Sequence, residues 1–276
     1  MTYQRPILIT GCSTGIGRHV AEGLKKRGYR VFATARSVED VEELCSLGFE
    51  ALQLDLACSA TIHHAFSTVM EMTGNTLYAL FNNGAYGQPG AVEDLGRDAL
   101  REQFEVNLFG PHELTTLAIP IMRRQGHGRI IQNSSLLGYV ALKYRGAYNA
   151  SKHALEGLTD TLRMELSGSG IFVSLIEPGP IQSNFRQNAW RAFRQSIDSS
   201  RGHHRGAYVP LADRLQEEGP VAPFTLGPEA VLQRVIHALE SDRPRVRYRV
   251  TFPAYLFAIL KRVLPDRVMD KILERI

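Results

Sequence analysis

The sequence predicts an α/β protein: one doubly wound parallel sheet in a single domain, with a lid insertion and a C-terminal helical tail. Short apolar runs alternate with amphipathic stretches through about the first 180 residues. The runs are rich in Ile, Val, Leu and Phe without strict alternation, and a glycine-rich turn joins the first run to the first amphipathic stretch. Runs of this kind are strands covered on both faces. Strands alternating with helices of this length build right-handed crossover units with helices on both sides of the sheet.

In chain order, the first strand is ILIT (7–10), followed by the helical pattern GRHVAEGLKKRG (17–28). Val20, Ala21 and Leu24 share one side of that helix, and Gly28 stands where a C-terminal cap belongs. Further strands are RVFATA (30–35), EALQL (50–54), LYALF (77–81), GRIIQNS (128–134) and IFVSLIEP (171–178). Beyond Pro178 the character changes. Residues 184–226 mix Gly, Pro and Arg with Phe185, Trp190, Phe193, Tyr208 and Phe224 in weak periodicity, which reads as an irregular lid. PEAVLQRVIHALES (228–241) is helical, with Pro228 at a first-turn position. RVRYRVTF (245–252) alternates strictly, an edge strand with Arg245, Arg247 and Arg249 on a solvated side. No linker interrupts residues 1–276, and residues 253–276 form the helical extension.

Composition narrows the classes of function. The chain is 44% hydrophobic and 22% charged, as in soluble globular proteins. A net charge of +4 suits anionic cofactors or lipid headgroups but lacks the clustered excess of a nucleic-acid-binding domain, so no nucleic acid partner is expected. Cys12, Cys45 and Cys58 have no metal-type spacing and read as free thiols in a reducing compartment. The adjacent pairs His63–His64 and His203–His204 do not converge on one ion, and no His-Glu-x-x-His or Cys-x-x-Cys spacing occurs, so no metal is expected. With no signal-peptide pattern and no apolar run long enough for a membrane span, a cytoplasmic protein is expected.

ITGCSTGIG (9–17) leaves the first strand and opens the first helix, with Gly11, Gly15 and Gly17 in Gly-x-x-x-Gly-x-Gly spacing. Such a turn lets a pyrophosphate approach main-chain nitrogens at a helix N-terminus, and Ser13, Thr14 and Ile16 belong to it. An NAD-binding domain carries an acid at the end of its second strand for the ribose 2′-hydroxyl. Here Ala35 is followed by Arg36 and Ser37, with no acid before Glu39. A carboxylate that would repel a 2′-phosphate is missing, and a guanidinium that can grip one is present, which favours NADP(H). Asp55, after the third strand and beside Leu56, can accept a hydrogen bond from the adenine amino group.

In GAYNASKHALEG (146–157), Tyr148 and Lys152 fall one helical turn apart on one face. The glycine pattern, FNNGAYG (81–87), VNLFG (106–110), NSSLLG (133–138), YNASK (148–152) and EPGPIQS (177–183) follow in order. Together they resemble the short-chain dehydrogenase/reductase family over nearly the whole chain. The resemblance implies a Rossmann-type doubly wound sheet binding NAD or NADP, and an oxidoreductase. It places the catalytic residues at Asn107, Ser135, Tyr148 and Lys152, the thirteen-residue interval to Tyr148 selecting Ser135 over Ser134. In such a site the phenol gives a proton to the carbonyl oxygen, Lys152 stabilises the phenolate by direct charge, and Ser135 holds the oxygen. The resemblance further implies that Asn107 shapes a water chain and that Lys152 binds the cofactor ribose. Asn83 and Gly84 lie beside the adenosine ribose, and Pro178, Gly179, Ile181 and Ser183 at the nicotinamide. NNGA stands where the family usually reads Asn-Asn-Ala-Gly, and Ser183 where most relatives have Thr. His153 should point away from Tyr148.

The substrate pocket is expected around Tyr86, Leu137, Tyr144 and Phe185, a composition that favours an apolar carbonyl compound. The tail, FTLGPEAV and the lid resemble the steroid-, retinoid- and aldehyde-reducing branch, including bacterial NADP-dependent aldehyde reductases. In the tail, Pro265 separates two segments, the second with Val268, Met269, Ile272, Leu273 and Ile276 on one face. This face packs on its own domain or a partner subunit, ahead of the alternative that it rests on a membrane surface with Lys261, Arg262, Arg267 and Lys271 at headgroups. The function expected is NADPH-dependent reduction of hydrophobic aldehydes or ketones by a homo-oligomer, dimer or tetramer. The competing classes are a non-catalytic NADP(H) sensor or partner-binding protein, and a lipid-modifying dehydrogenase at a membrane surface.

Overall fold

The computed structural model describes residues 5–200, 202–217, 219 and 222–276. Strands and helices alternate as β1 (Pro6–Ile9), α1 (Gly15–Lys26), β2 (Arg30–Ala35), α2 (Val38–Ser46), β3 (Glu50–Gln53), α3 (Ser59–Thr73) and β4 (Ala79–Asn82). They continue as α4 (Arg97–Phe104), α5 (Gly110–Gln125), β5 (Gly128–Asn133), α6 (Gly146–Glu165) and β6 (Ile171–Glu177). The remainder is α7 (Phe185–Ser196), α8 (Arg205–Gln216), α9 (Glu229–Glu240), β7 (Arg247–Arg249), α10 (Phe252–Val263) and α11 (Asp266–Leu273). Among the described residues the strands form one parallel sheet in the order β3-β2-β1-β4-β5-β6-β7. The connections reverse direction between β1 and β4, so their carboxyl ends flank the crevice where open α/β sheets bind ligands.

Both faces of the sheet are covered, which explains why its strands do not alternate. Val20, Ala21 and Leu24 of α1, Leu44 of α2, and Val231 and Val235 of α9 pack on Ile7, Ile9, Val31, Ala33 and Phe81. On the other face α3, α5 and the end of α6 cover Leu8, Phe32, Leu80, Ile130 and Val173. Helix α1 ends as expected, with Gly28 at φ +86° just past its last turn.

The described residues of 184–226 are more regular than their weak periodicity suggested. They carry α7 and α8, which bury Ala189, Phe193, Tyr208 and Leu215 against Ala91 and Ile197. The Tyr208 hydroxyl donates to the Asp94 carboxylate and accepts the Ala91 N–H at 3.1 Å. Their apolar stripe is narrow and arginines occupy the remaining faces, so the helical period was diluted rather than absent.

The edge position of β7 is as expected, but the solvated arginine side is not. Arg247 lies 2.8 Å from Glu177, 2.9 Å from Glu156 and 2.7 Å from Asp160, while Arg249 lies 3.2 Å from Glu177. Glu156 and Asp160 belong to α6, which brings carboxylates to that side of the sheet; Arg245 alone of the three is exposed.

The tail folds back on its own domain. Ala254 and Phe257 of α10 and Met269 of α11 are buried, and Phe257 and Met269 join Val140, Leu136 and Leu137 in one cluster. Val268 and Ile276 remain exposed, as do Phe252, Tyr255, Ile259 and Val263 on the outer side of α10. No helix among the described residues is long and apolar enough to cross a membrane.

Candidate active site

The glycine turn is moulded to the loop after β4. Gly11 and Gly15 have φ of +69° and +59°, where a side chain would be strained. A Cβ on Gly11 would stand 2.7 Å from Cα of Gly84, and one on Gly17 would overlap the Gly11 carbonyl oxygen. Thr14 precedes α1 without a side-chain cap, and no acid occupies the first turn. The free N–H groups and dipole end of α1 are therefore available to an anion, and the residues fit a dinucleotide diphosphate. Arg18 braces this turn, donating to the carbonyls of Cys12 and Ser13 at 3.1 Å each and pairing with Glu43 at 2.6 Å. Its role was not read from the sequence.

Among the residues expected at the adenosine, Arg36 is exposed past β2, while the Ser37 hydroxyl is committed to capping α2 through the Asp40 N–H at 3.2 Å. Asp55 accepts the Ala57 N–H at 3.0 Å. Leu56 closes on the same place, its Cδ1 lying 2.8 Å from where a Cβ on Gly84 would stand. Asn83 is a strut: its amide donates to the carbonyls of Thr10 (3.0 Å) and Gly11 (3.1 Å), and its oxygen accepts from Asn133 at 2.9 Å. Thr10, overlooked in the sequence, accepts the N–H groups of Asn83 and Gly84 at 2.9 Å each.

The residues expected to be catalytic come from the turn after β5, from α6 and from the α4–α5 junction. Between those two helices the chain makes a π-turn, Glu105–Phe109, a widening often found at functional sites. It turns Asn107 inward. Asn107 accepts the Tyr86 N–H at 3.1 Å and donates to the Tyr86 carbonyl (2.9 Å) and the Ser151 hydroxyl (3.1 Å). Tyr148 and Lys152 are both buried. The Lys152 ammonium donates to the Asn133 carbonyl at 2.7 Å and stands 5.8 Å from the centre of the Tyr148 ring, so its influence on the phenol acts across a gap.

Burial pushes the Tyr148 phenol up to about 12, while the Ser135 hydroxyl and the Arg145 guanidinium pull against that rise. Burial lowers Lys152 to about 8, opposed by the Glu156 carboxylate. Ser135 faces the phenol and accepts the Leu137 N–H at 3.1 Å, whereas Ser134 interacts with Glu156 behind the site. The two neighbouring serines are thus separated by direction. His153 is exposed and bonds back to the Asn149 carbonyl, away from Tyr148.

The loop after β6 closes the far side. The Leu136 N–H donates to the Pro178 carbonyl at 2.7 Å, Gly179 abuts Thr251, and Ile181 forms a bridge with Leu226. The Ser183 hydroxyl bonds to the Ile181 carbonyl at 3.4 Å, and Ser183 faces Gly15 of the glycine turn. Of the expected pocket residues, Phe185 meets Tyr148 edge-on with ring centres 5.2 Å apart. Tyr144, in a left-handed turn, packs instead against His204 and Tyr208 of the lid. Leu137 joins the tail cluster, and Tyr86 lies where Glu102 and Arg36 act on it.

A buried phenol–serine pair beside an anion cradle suits the pattern of a family model, "short chain dehydrogenase", which matches residues 5–193. The chain belongs to the short-chain dehydrogenase family. It is 43% identical to the uncharacterised oxidoreductase YbbO of Escherichia coli K12, over 98% of this chain and 94% of that protein. It is 30% identical to an NADPH-dependent 3-dehydrocapnine reductase of Ornithobacterium rhinotracheale, over 97% of this chain and 95% of the relative. A short-chain dehydrogenase of Streptomyces avermitilis superposes with a TM-score of 0.79 at 27% identity, covering 98% of each chain.

Behind the reacting end, the Glu177–Arg247–Glu156 cluster joins the strand that leads into Pro178 to the helix that carries Lys152. Glu177 is fully buried. Burial, with the nearby Glu156 charge, raises its carboxyl to about 7 against the pull of both arginines. Replacing Arg247 with Met leaves that carboxyl without its nearer partner and is expected to lower unfolding stability in urea by about 2–4 kcal/mol. A Glu177→Leu change added to it should recover part of the loss, because the fully buried carboxylate then leaves with its partner while Glu156 and Asp160 stay without Arg247. A loss under about 0.5 kcal/mol for the single variant would mark the cluster as a solvated surface pair.

Proposed function

We propose that this protein is an NADPH-dependent reductase of hydrophobic aldehydes or ketones, able to run in reverse as an alcohol dehydrogenase. The observation that carries the reading is the buried Tyr148, faced by Ser135 and by Lys152, at the carboxyl edge of the sheet next to the glycine cradle. A bound nicotinamide would supply the hydride to the carbonyl carbon. Tyr148 supplies the proton to the carbonyl oxygen, and its high proton affinity keeps it protonated and ready at neutral pH. Ser135 donates to the same oxygen and draws it toward the phenol. Lys152 supplies positive charge that makes the phenolate tolerable, and Asn107 holds the loop at Tyr86 that borders the site. Phe185 and the aromatic lid favour an apolar chain on the substrate.

The coenzyme choice rests on Arg36, exposed just past β2 with no acid in the sequence between Ala35 and Glu39; the name of the dehydrocapnine reductase agrees with it. The kcat/KM for NADPH is expected to exceed that for NADH, and Arg36→Ala should cut the NADPH value by roughly tenfold or more while sparing NADH. A native preference for NADH would refute the assigned role.

A further inference from the structure

Helix α10 is apolar on every side from Phe252 to Leu260, the run FPAYLFAIL. Ala254, Phe257 and Ala258 turn inward and are buried, and Leu260 joins the cluster under the tail. The opposite side carries Phe252, Tyr255, Leu256, Ile259 and Val263, spaced i, i+3, i+4, i+7 and i+11, which is one continuous stripe of a helix. All five are exposed, Phe252 by 57%, Ile259 by 61% and Val263 by 67%. Phe224, itself 59% exposed, widens the stripe, its ring centre 5.0 Å from that of Phe252. It does so from a left-handed backbone (φ +60°), an unfavourable conformation for a bulky residue. Single exposed apolar side chains are ordinary, but a contiguous set marks a surface that meets something. A helix that is apolar all round belongs inside a protein or in lipid.

The charges around this stripe are of one sign. Arg262, three residues after Ile259 and seven after Tyr255, borders it, and Arg267 follows in α11. Both are exposed, and neither has an ion pair among the described residues. Lys261 is exposed too and meets Asp266 at 3.4 Å, a solvated contact of little strength. No acid occurs in the sequence from Arg243 to Pro265. The apolar side of α11 is largely spent on its own domain, with Met269 buried and Ile272 and Leu273 in the tail cluster. The surface left over is therefore that of α10. A second copy paired across it by a two-fold axis would bring each cationic rim toward its like. An anionic lipid surface accepts the stripe and the cations together.

We propose that α10, with Phe224 beside it, docks this protein on an anionic lipid surface. The stripe lies at the boundary of headgroups and acyl chains, and the long side chains of Lys261, Arg262 and Arg267 reach the headgroups. The docking face adjoins the candidate active site. Thr251, just before α10, abuts Gly179, and Leu226, two residues past Phe224, bridges Ile181. The docking itself does not depend on the reductase reading, and its test uses no turnover.

The test is sedimentation of the full chain with vesicles of phosphatidylcholine and phosphatidylglycerol mixed, and of phosphatidylcholine alone. Binding to the mixed vesicles is expected to be at least about tenfold tighter than to phosphatidylcholine, and to weaken as salt is raised. Ile259→Glu and Val263→Glu should each lower it by about tenfold or more. Arg262→Glu should lower it by about fivefold or more on the mixed vesicles and leave phosphatidylcholine binding unchanged. All three positions are exposed, so circular dichroism melting should match the wild type. The charge reversal keeps the test decisive if an apolar variant loses its fold. Failure to sediment with the mixed vesicles, equal binding to both lipids, or binding that survives Ile259→Glu and Arg262→Glu overturns the proposal. So does a stable dimer in light scattering that Ile259→Glu dissociates, which would give the face to a second copy.

Discussion

Replacing Tyr148 with phenylalanine is expected to lower turnover by about three orders of magnitude or more, with NADPH binding retained. The change removes one oxygen and keeps the ring that meets Phe185 at 5.2 Å, so packing persists. What disappears is the hydroxyl that faces Ser135 and can deliver a proton to a substrate oxygen held there. With its phenol raised to about 12 by burial, Tyr148 is protonated throughout the neutral range, the state a donor needs. Steady-state NADPH oxidation together with NADPH titration of the same variant checks both halves of the expectation. Appreciable turnover by a properly folded variant would remove Tyr148 from the chemistry.

Lys152→Met should lower kcat by about a hundredfold. At the 5.8 Å that separates the ammonium from the Tyr148 ring, one unit charge acting on a phenolate is worth about 3 kcal/mol at an effective dielectric near 20. That figure corresponds to roughly two powers of ten in rate. The pH dependence has a definite sign. Burial lowers Lys152 to about 8, so its charge is present below that pH and lost above it. Wild-type reduction should therefore decline as pH rises through about 8, and Lys152→Met should lack this inflection. The variant leaves the Asn133 carbonyl without its donor at 2.7 Å, but it also removes a cation from the interior. The two effects oppose each other, and the melting temperature should stay near that of the wild type. A variant that keeps both the rate and the inflection would show that Lys152 does not act on the phenol.

Features carried by short spacings were legible in the sequence. Tyr148 and Lys152 are one turn apart whatever else folds around them, and the glycines at 11, 15 and 17 describe their own turn. The doubly wound sheet was legible because each strand announces by its apolar run that both faces are covered. What escaped depends on distant partners. Arg247 and Arg249 alternate like a wetted strand face, and only the tertiary fold brings α6 and Glu177 against them. The helices of the lid hide behind arginines on their outer sides. Leu137 and Tyr144 sit near Tyr148 in sequence, yet they turn toward the tail and the lid.

The central claim is that Tyr148 protonates a carbonyl oxygen in an NADPH-dependent reduction. The most direct measurement is the stoichiometry of alcohol formed to NADPH oxidised, with a medium-chain aldehyde, for the wild type and Tyr148→Phe side by side. The account predicts one alcohol for each NADPH in the wild type and none above background in the variant. NADPH oxidation at equal rates in both proteins, or oxidation without alcohol, would contradict it.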